Sequence, residues 1–263
     1  MRASRVLKKL REGQVVTCFN VHLDAQASEI ASMAGFDCLW IDREHLAQDW
    51  SSLREHIWAA KCHDVDVMVR VSRGSYSDYI KPLELDAAGI MVPHIMSLED
   101  AKNVVKTTRF HPVGRRPLDG GNADGGYASL DYGTYLPKAN KERFVMVQIE
   151  DPEPLDDLEA IAALDGIDML FFGPGDFSQG IGAPGEWNHP KLLETRKRVA
   201  EVARKYSKYA GIPGSLDSVD ELVGMGYQFI VLGADVIGVG QYCRDIVASF
   251  NKKSAAYSVA TNK

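Results

Sequence analysis

The run Phe144-Val145-Met146-Val147-Gln148-Ile149-Glu150 and the run Met169-Leu170-Phe171-Phe172-Gly173-Pro174-Gly175-Asp176 share one design, a short apolar stretch closed by a carboxylate. Apolar runs this short, bounded by turn residues, read as strands covered on both faces, the condition of a parallel sheet flanked by helices. Moving outward from them, comparable runs occupy 15–19, 38–42, 65–70, 89–93, 209–212 and 229–232. Amphipathic stretches predict helices over 25–33, 50–61, 77–85, 98–107, 155–163, 190–206, 218–225 and 234–250. Strict alternation of strand and helix predicts an α/β fold, a single (β/α)8 TIM barrel over residues 1–263. An open doubly wound sheet is the alternative.

Local signals support these boundaries. Gly35, Gly224 and Gly226 stand where helices would end, Ser97 is a candidate N-cap, and Ser218 with Glu221 reads as a capping box. A Gly-, Asp- and Pro-rich segment over 110–140 interrupts the rhythm as a long loop, and a polar tail from 251 is expected to fray.

A formal charge of -6 and a pI of 5.7 argue against general affinity for nucleic acid or an anionic membrane. The cysteines Cys18, Cys38, Cys62 and Cys243 form no CxxC, so neither a disulfide framework nor a zinc site is expected. The N-terminal residues lack the apolar run of a signal peptide and no segment could span a bilayer, so a reducing, cytoplasmic location is expected.

In a barrel, catalytic groups gather where strands end. The predicted strand ends deliver Asp42-Arg43-Glu44-His45, Arg70, Pro93-His94, Gln148-Ile149-Glu150-Asp151 and Gly173-Pro174-Gly175-Asp176 onto one rim. Glu150 and Asp176 offer two hard oxygen ligands, too few for a closed cage but suited to Mg2+ or Mn2+ with open positions; a structural hydrogen-bonding role is the alternative. The N–H groups of Gly175 and Asp176 could accept a carboxylate. Arg70 closes an apolar strand, so its fork either meets an anionic ligand or forms a salt bridge to Glu150 or Glu44. His45 is a candidate general base, with Asp42 three residues earlier and Glu84 from the following helix as groups that could raise its basicity. No lysine lies in or just after a predicted strand, which disfavours Schiff-base chemistry. Neither a GxGxxG fingerprint nor a P-loop is present.

Ala34-Gly35-Phe36-Asp37, Ile41-Asp42-Arg43-Glu44-His45, Val69-Arg70, Val92-Pro93, Tyr135-Leu136-Pro137-Lys138-Ala139-Asn140, Gln148-Ile149-Glu150 and Gly173-Pro174-Gly175-Asp176-Phe177-Ser178 together resemble the HpcH/HpaI class II aldolases of the phosphoenolpyruvate/pyruvate barrel superfamily. The resemblance runs in order from residue 12 to 250. It implies reversible cleavage of a 4-hydroxy-2-oxo acid to pyruvate and an aldehyde, with Glu150 and Asp176 as ligands of Mg2+, Mn2+ or Co2+. It further implies His45 as base, Arg70 as enolate stabiliser, and Gln148, Gly175 and Asp176 around pyruvate. Glu84 takes the place of an aspartate that tunes the base, and the 114–126 segment is expected to shape the aldehyde side of the pocket. His94 resembles the arrangement in macrophomate synthase, so oxaloacetate decarboxylation through the same enolate is the alternative reaction, and a non-catalytic 2-oxo-acid-binding barrel the remaining one. The resemblance also implies a homo-oligomer, a hexamer, with the C-terminal helix on a neighbour.

Overall fold

The computed structural model describes residues 1–258 and is a closed barrel of parallel strands in the order β1-β2-β3-β4-β5-β6-β7-β8. The strands are β1 (Val16–Val21), β2 (Cys38–Asp42), β3 (Asp66–Arg70), β4 (Gly89–Val92), β5 (Phe144–Ile149), β6 (Met169–Phe172), β7 (Tyr209–Gly214) and β8 (Phe229–Ala234). Around them run α1 (Arg5–Arg11), α2 (Ala25–Met33), α3 (Trp50–Lys61), α4 (Tyr76–Glu84), α5 (Leu98–Thr108), α6 (Tyr132–Glu142), α7 (Leu158–Ala162), α8 (Pro174–Gly180), α9 (Pro190–Lys205), α10 (Val219–Met225) and α11 (Asp235–Ser258).

Side chains alternate across each strand, so one parity of residues fills the barrel and the other faces the helices. The interior holds Cys18, Cys38, Trp40, Met68, Met91, Phe144, Met146, Met169, Phe171, Phe229 and Val231. The outer layer, typified by Leu39, Ile41, Val67, Val69, Val145 and Val147, packs under the helices. Gly89 is required by the interior: a Cβ there would sit 2.2 Å from the ring of Phe144. Following the interior parity upward leads from Trp40 to Asp42, from Met68 to Arg70 and from Met146 to Gln148 and Glu150. The rule that builds the core therefore also aims polar groups into the barrel mouth.

Several expectations change. The segment 110–140 is not all loop, because Asp131 accepts the N–H of Thr134 and caps α6, whose Tyr135 and Ala139 are buried. α1 was not expected; Ser4 caps it, and Val6, Leu7 and Leu10 join the barrel's interior cluster. The expected helix over 155–163 is divided into a 3-10 turn and α7. Ser97 caps α5 through the N–H of Asp100, and Gly226 ends α10 in the left-handed region, as expected. Ser218 forms no box with Glu221; its hydroxyl bonds the backbone of Ser215 instead. The tail does not fray from 251, since α11 continues to Ser258; the rest of that expectation, over 259–263, lies outside the described residues.

Candidate active site

The C-terminal mouth of the barrel opens into a cavity of about 580 Å3 lined by Arg70, Gln148, Glu150, Gly173 to Asp176, and by Asn20 and His22 from the opposite wall. This is the usual place for a barrel's chemistry.

Arg70 is fixed by carboxylates on two sides. Its Nε and Nη2 donate to the two oxygens of Asp42 at 3.0 and 2.5 Å, and Glu44 Oε2 lies 3.2 Å from Nε. The guanidinium also covers the ring of Trp40 at 4.9 Å. Burial opposes the charge of Arg70, but the Asp42 bond and the surrounding carboxylates hold it firmly protonated. Burial likewise pushes Asp42 up, yet Arg70 wins and holds its carboxyl below the usual range.

Glu150 is buried. Its Oε1 accepts the backbone N–H of His94 at 2.8 Å, and its Oε2 accepts the side-chain amide of Gln148. Its pKa is raised to about 7, first by burial, with the charges of Asp176 and Glu44 adding to it against the opposing effect of His94. Gly173 allows this crowding, since a Cβ would stand 2.8 Å from both Gln148 Nε2 and Glu150 Oε2. Asp176 lies in the first turn of α8, a helix that Pro174 starts, and Gly175 faces open space.

His94 leaves β4 with a φ of 49° and places Nδ1 2.8 Å from Asp151 Oδ2 and Nε2 3.5 Å from Glu44 Oε1. Burial disfavours its charge, but Asp151, Glu150 and Glu44 outweigh burial and raise its pKa. His45 stands at the rim with 60% of its side chain exposed, its Nε2 3.6 Å from Glu44 Oε2. The sequence reading left Glu44 and Asp151 without catalytic roles. Both lie just past strand ends, where parity no longer says which way a side chain turns.

The structure brings together Asp42, Arg70, His94, Gln148, Glu150, Gly175 and Asp176, with His45 at the edge. It does not bring Glu84. Each helix runs back along the barrel, so the end of α4 lies at the N-terminal side, opposite the mouth. There Glu84 faces Arg116, Asp119 and Asp124. Its cleft is a separate one of about 420 Å3, shared with Trp50, Trp58, Asn122 and Tyr127. Asn122 and Ala123 of the 114–126 segment line that same cleft, and neither Glu84 nor any residue of 114–126 lines the mouth cavity of its own chain.

The donor set at the mouth fits a hard divalent cation. Two carboxylates, Glu150 and Asp176, line the same cavity, the first buried with its pKa raised to about 7, and Gln148 Oε1 is buried without a hydrogen-bond partner. No group of three or more His, Cys, Asp or Glu arranged to hold an ion occurs among the described residues. Such an ion would thus rest on two protein carboxylates and keep positions for oxygens from outside, as Mg2+ and Mn2+ do.

The family model HpcH/HpaI aldolase/citrate lyase matches residues 16–240. The chain is 33% identical over 238 residues to the hydroxypyruvate/pyruvate aldolase of Roseobacter denitrificans, covering 87% of this chain and 90% of that protein. It is 31% identical to the 4-hydroxy-2-oxovalerate aldolase of Rhodococcus jostii, over 95% of this chain and 96% of that one. Among solved structures, the HpcH/HpaI aldolase of Desulfitobacterium hafniense superposes with a TM-score of 0.87 at 26% identity, covering 93% of this chain and 95% of that one.

Proposed function

The chain belongs to the HpcH/HpaI aldolase/citrate lyase family, and from that premise and the mouth geometry we propose that it cleaves a 4-hydroxy-2-oxo acid reversibly into pyruvate and an aldehyde. The observation that carries this reading is the Arg70 fork, locked by Asp42 and Glu44, in the same cavity as the carboxylates of Glu150 and Asp176.

Glu150 and Asp176 would hold a divalent cation of the Mg2+ or Mn2+ type, which when bound supplies Lewis acidity toward the 2-oxo and carboxylate oxygens of the substrate. The N–H groups of Gly175 and Asp176 and the amide of Gln148 orient the pyruvate half. His45, directly or through a water, takes the proton of the 4-hydroxyl. The C3–C4 bond breaks, its electron pair moves into the C2–C3 bond, and charge gathers on the 2-oxo oxygen. Arg70, already oriented by two carboxylates, stabilises that charge without reorganising. A proton delivered to C3 completes pyruvate. His94 acts as a positioning residue, because its backbone N–H fixes the Glu150 oxygen at 2.8 Å. Its ring at the mouth, paired with Asp151, favours a second reading, decarboxylation of oxaloacetate through the same enolate.

The test is a lactate-dehydrogenase-coupled assay of pyruvate release from a panel of 4-hydroxy-2-oxo acids and from oxaloacetate, with and without EDTA. Release that survives complete metal removal contradicts the mechanism. Release from oxaloacetate alone selects the decarboxylase.

The chain also carries a surface that its own fold does not cover. On α11, Val239, Tyr242, Ile246 and Phe250, spaced 3, 4 and 4 residues apart, are exposed. Exposed apolar residues in register along a helix of 24 residues call for a partner, and further copies of the chain, a hexamer by family likeness, are the proposed cover. Sedimentation of the intact protein against an Ile246→Glu/Phe250→Glu variant tests this: the intact chain sediments as an oligomer and the variant as a smaller species, and equal sedimentation contradicts it. No helix among the described residues is long and apolar enough to cross a membrane, and the four cysteines are free, in keeping with the proposed cytoplasmic location.

A further inference from the structure

Of the four tryptophans, three carry a cation over the ring: Arg70 on Trp40 at 4.9 Å, Arg43 on Trp50 at 3.4 Å and Arg54 on Trp58 at 5.0 Å. Trp187 is the exception. Among the described residues no aromatic ring and no cation lies against its indole. It lines the active-site cavity and is 57% exposed. An indole left open to water where a substrate must enter is available to that substrate. Trp187 has no part in the mechanism above.

The loop that carries it, 181–189 between α8 and α9, is tied down. Ser178 of α8 is buried; its Oγ donates to the carbonyl of Gly175 at 2.7 Å and accepts the N–H of Gly185 at 3.1 Å. Its backbone carbonyl accepts the N–H of Ala183 at 2.9 Å. Gly182 and Gly185 take φ values of 76° and 78°, which let the chain turn sharply around Ser178. The N–H of Trp187 itself donates to the carbonyl of Gly185 at 3.0 Å. The indole is therefore anchored to the helix whose first turn holds Gly175 and Asp176, the residues placed around pyruvate.

The cavity exceeds what pyruvate needs. At roughly 30 Å3 per water-sized group, the six heavy atoms of pyruvate fill about a third of its 580 Å3. The lining that the pyruvate half leaves over is, apart from Asn20 and His22, apolar or bare backbone: Pro213 on β7, Val231 on β8, and Val236 and Ile237 at the start of α11 supply its side chains together with Trp187. Among the described residues that line the cavity, Arg70 is the one lysine or arginine, and Asp42 already occupies its fork. The space beyond pyruvate thus offers apolar surface and no free cation.

We infer that Trp187 is a specificity-determining residue whose indole packs on a planar apolar substituent of the aldehyde, so that the enzyme prefers an aromatic aldehyde to one ending in a carboxylate. This rests on the aldolase reading and adds to it a residue for the second substrate. A phenyl ring entering this space takes its own face and that of the indole out of water, in the offset stacking that aromatic pairs favour. A carboxylate in the same space gives up hydration and finds no cation in return.

The test uses the full chain with Mg2+ and pyruvate, adding phenylacetaldehyde, succinic semialdehyde or acetaldehyde. The wild type is expected to favour phenylacetaldehyde over succinic semialdehyde in kcat/KM by about tenfold or more. Trp187→Ala is expected to lose about tenfold on phenylacetaldehyde, mainly through KM, and no more than about threefold on acetaldehyde, which has no ring to stack. Trp187→Phe keeps most of the preference, because a ring remains. A wild-type ratio near or below one, or equal losses on phenylacetaldehyde and acetaldehyde in Trp187→Ala, overturns the inference. Trp187→Leu, which keeps apolar bulk without a ring, is read in the same way if Trp187→Ala fails to fold. Exchange of pyruvate methyl protons in D2O without any aldehyde is measured alongside. Exchange in the wild type and in a variant shows folded, enolising enzyme, so equal losses then count against Trp187 alone. Absence of exchange in the wild type overturns the aldolase reading itself.

Discussion

The two ends of the barrel handle charge in opposite ways. At the N-terminal end, carboxylates placed just before the strands meet dedicated cations. Asp66 pairs with Arg2 at 2.7 Å, Asp37 with Lys9 at 2.7 Å and Arg5 at 3.0 Å, and Asp86 with both Lys61 and Arg143. Asp124 from the long segment joins Arg143 at 2.8 Å and Arg116 at 3.1 Å. At the C-terminal mouth, Asp42, Glu44, Glu150, Asp151 and Asp176 gather around Arg70 and His94. One end is balanced within the chain. The other carries surplus negative charge in a low-dielectric pocket, which a divalent cation would offset. The same residue types thus staple the fold at one end and leave charge unbalanced at the other.

Replacing a charge at each end should break different properties. Glu150→Gln removes one of the two proposed metal ligands and is expected to lower kcat/KM for retro-aldol cleavage by about a thousandfold, while relieving repulsion and leaving the urea midpoint unchanged or higher. A simultaneous loss of stability would show that Glu150 is structural. Arg70→Lys keeps the charge but not the fork, and steady-state kinetics are expected to show a loss of about a hundredfold in kcat with a smaller change in KM. Wild-type turnover in that variant would refute the forked contact.

Arg143→Ala acts at the other end. It strands Asp86 and Asp124 in a buried site and is expected to cost about 3–5 kcal/mol by urea denaturation, with kcat of the remaining folded protein unchanged. Loss of kcat without loss of stability would erase the distinction between the ends.

The smallest effect is in pH. Glu150 is shifted upward to about 7, so in the metal-free protein its neutral form is the stabilising one. That contribution is complete below the ordinary carboxylate range and is lost as pH rises toward 7. Asp42 is shifted downward, so its contribution is present above its ordinary range and lost on acidification. Since the cation must displace the Glu150 proton, Mg2+ should raise the melting temperature little near pH 6 and progressively more through about pH 7 to 8. A pH-independent increment would mean that the cation binds elsewhere.

The fold was legible because each strand from β1 to β8 is followed by at least one helix. Arg70, Gln148 and Glu150 were legible because strand parity continues past the core into the mouth. Asn20 and His22 were not singled out, because a single amide and a single histidine at a strand end carry no chemistry until the shared cavity is seen. Glu44 was legible only as a salt-bridge partner of Arg70 and Asp151 only as a rim residue, because both follow the last residue that parity controls. Glu84 follows no strand parity, and it does not line the mouth of its own chain. α4 carries it down the length of the barrel, to where it faces Arg116, Asp119 and Asp124. The bounds of α1 and α6 depended on the Ser4 and Asp131 caps, within segments whose apolar pattern is weak.

The central claim is that the mouth forms a pyruvate enolate with the help of a cation bound by Glu150 and Asp176. Proton NMR of pyruvate in D2O, in the presence of the intact enzyme, measures that step without any aldehyde. The account predicts deuterium entering the methyl group with Mg2+ present, stopping on addition of EDTA, returning with excess Mg2+, and nearly absent in Glu150→Gln. Exchange at an undiminished rate in EDTA, or at the wild-type rate in Glu150→Gln, would contradict it.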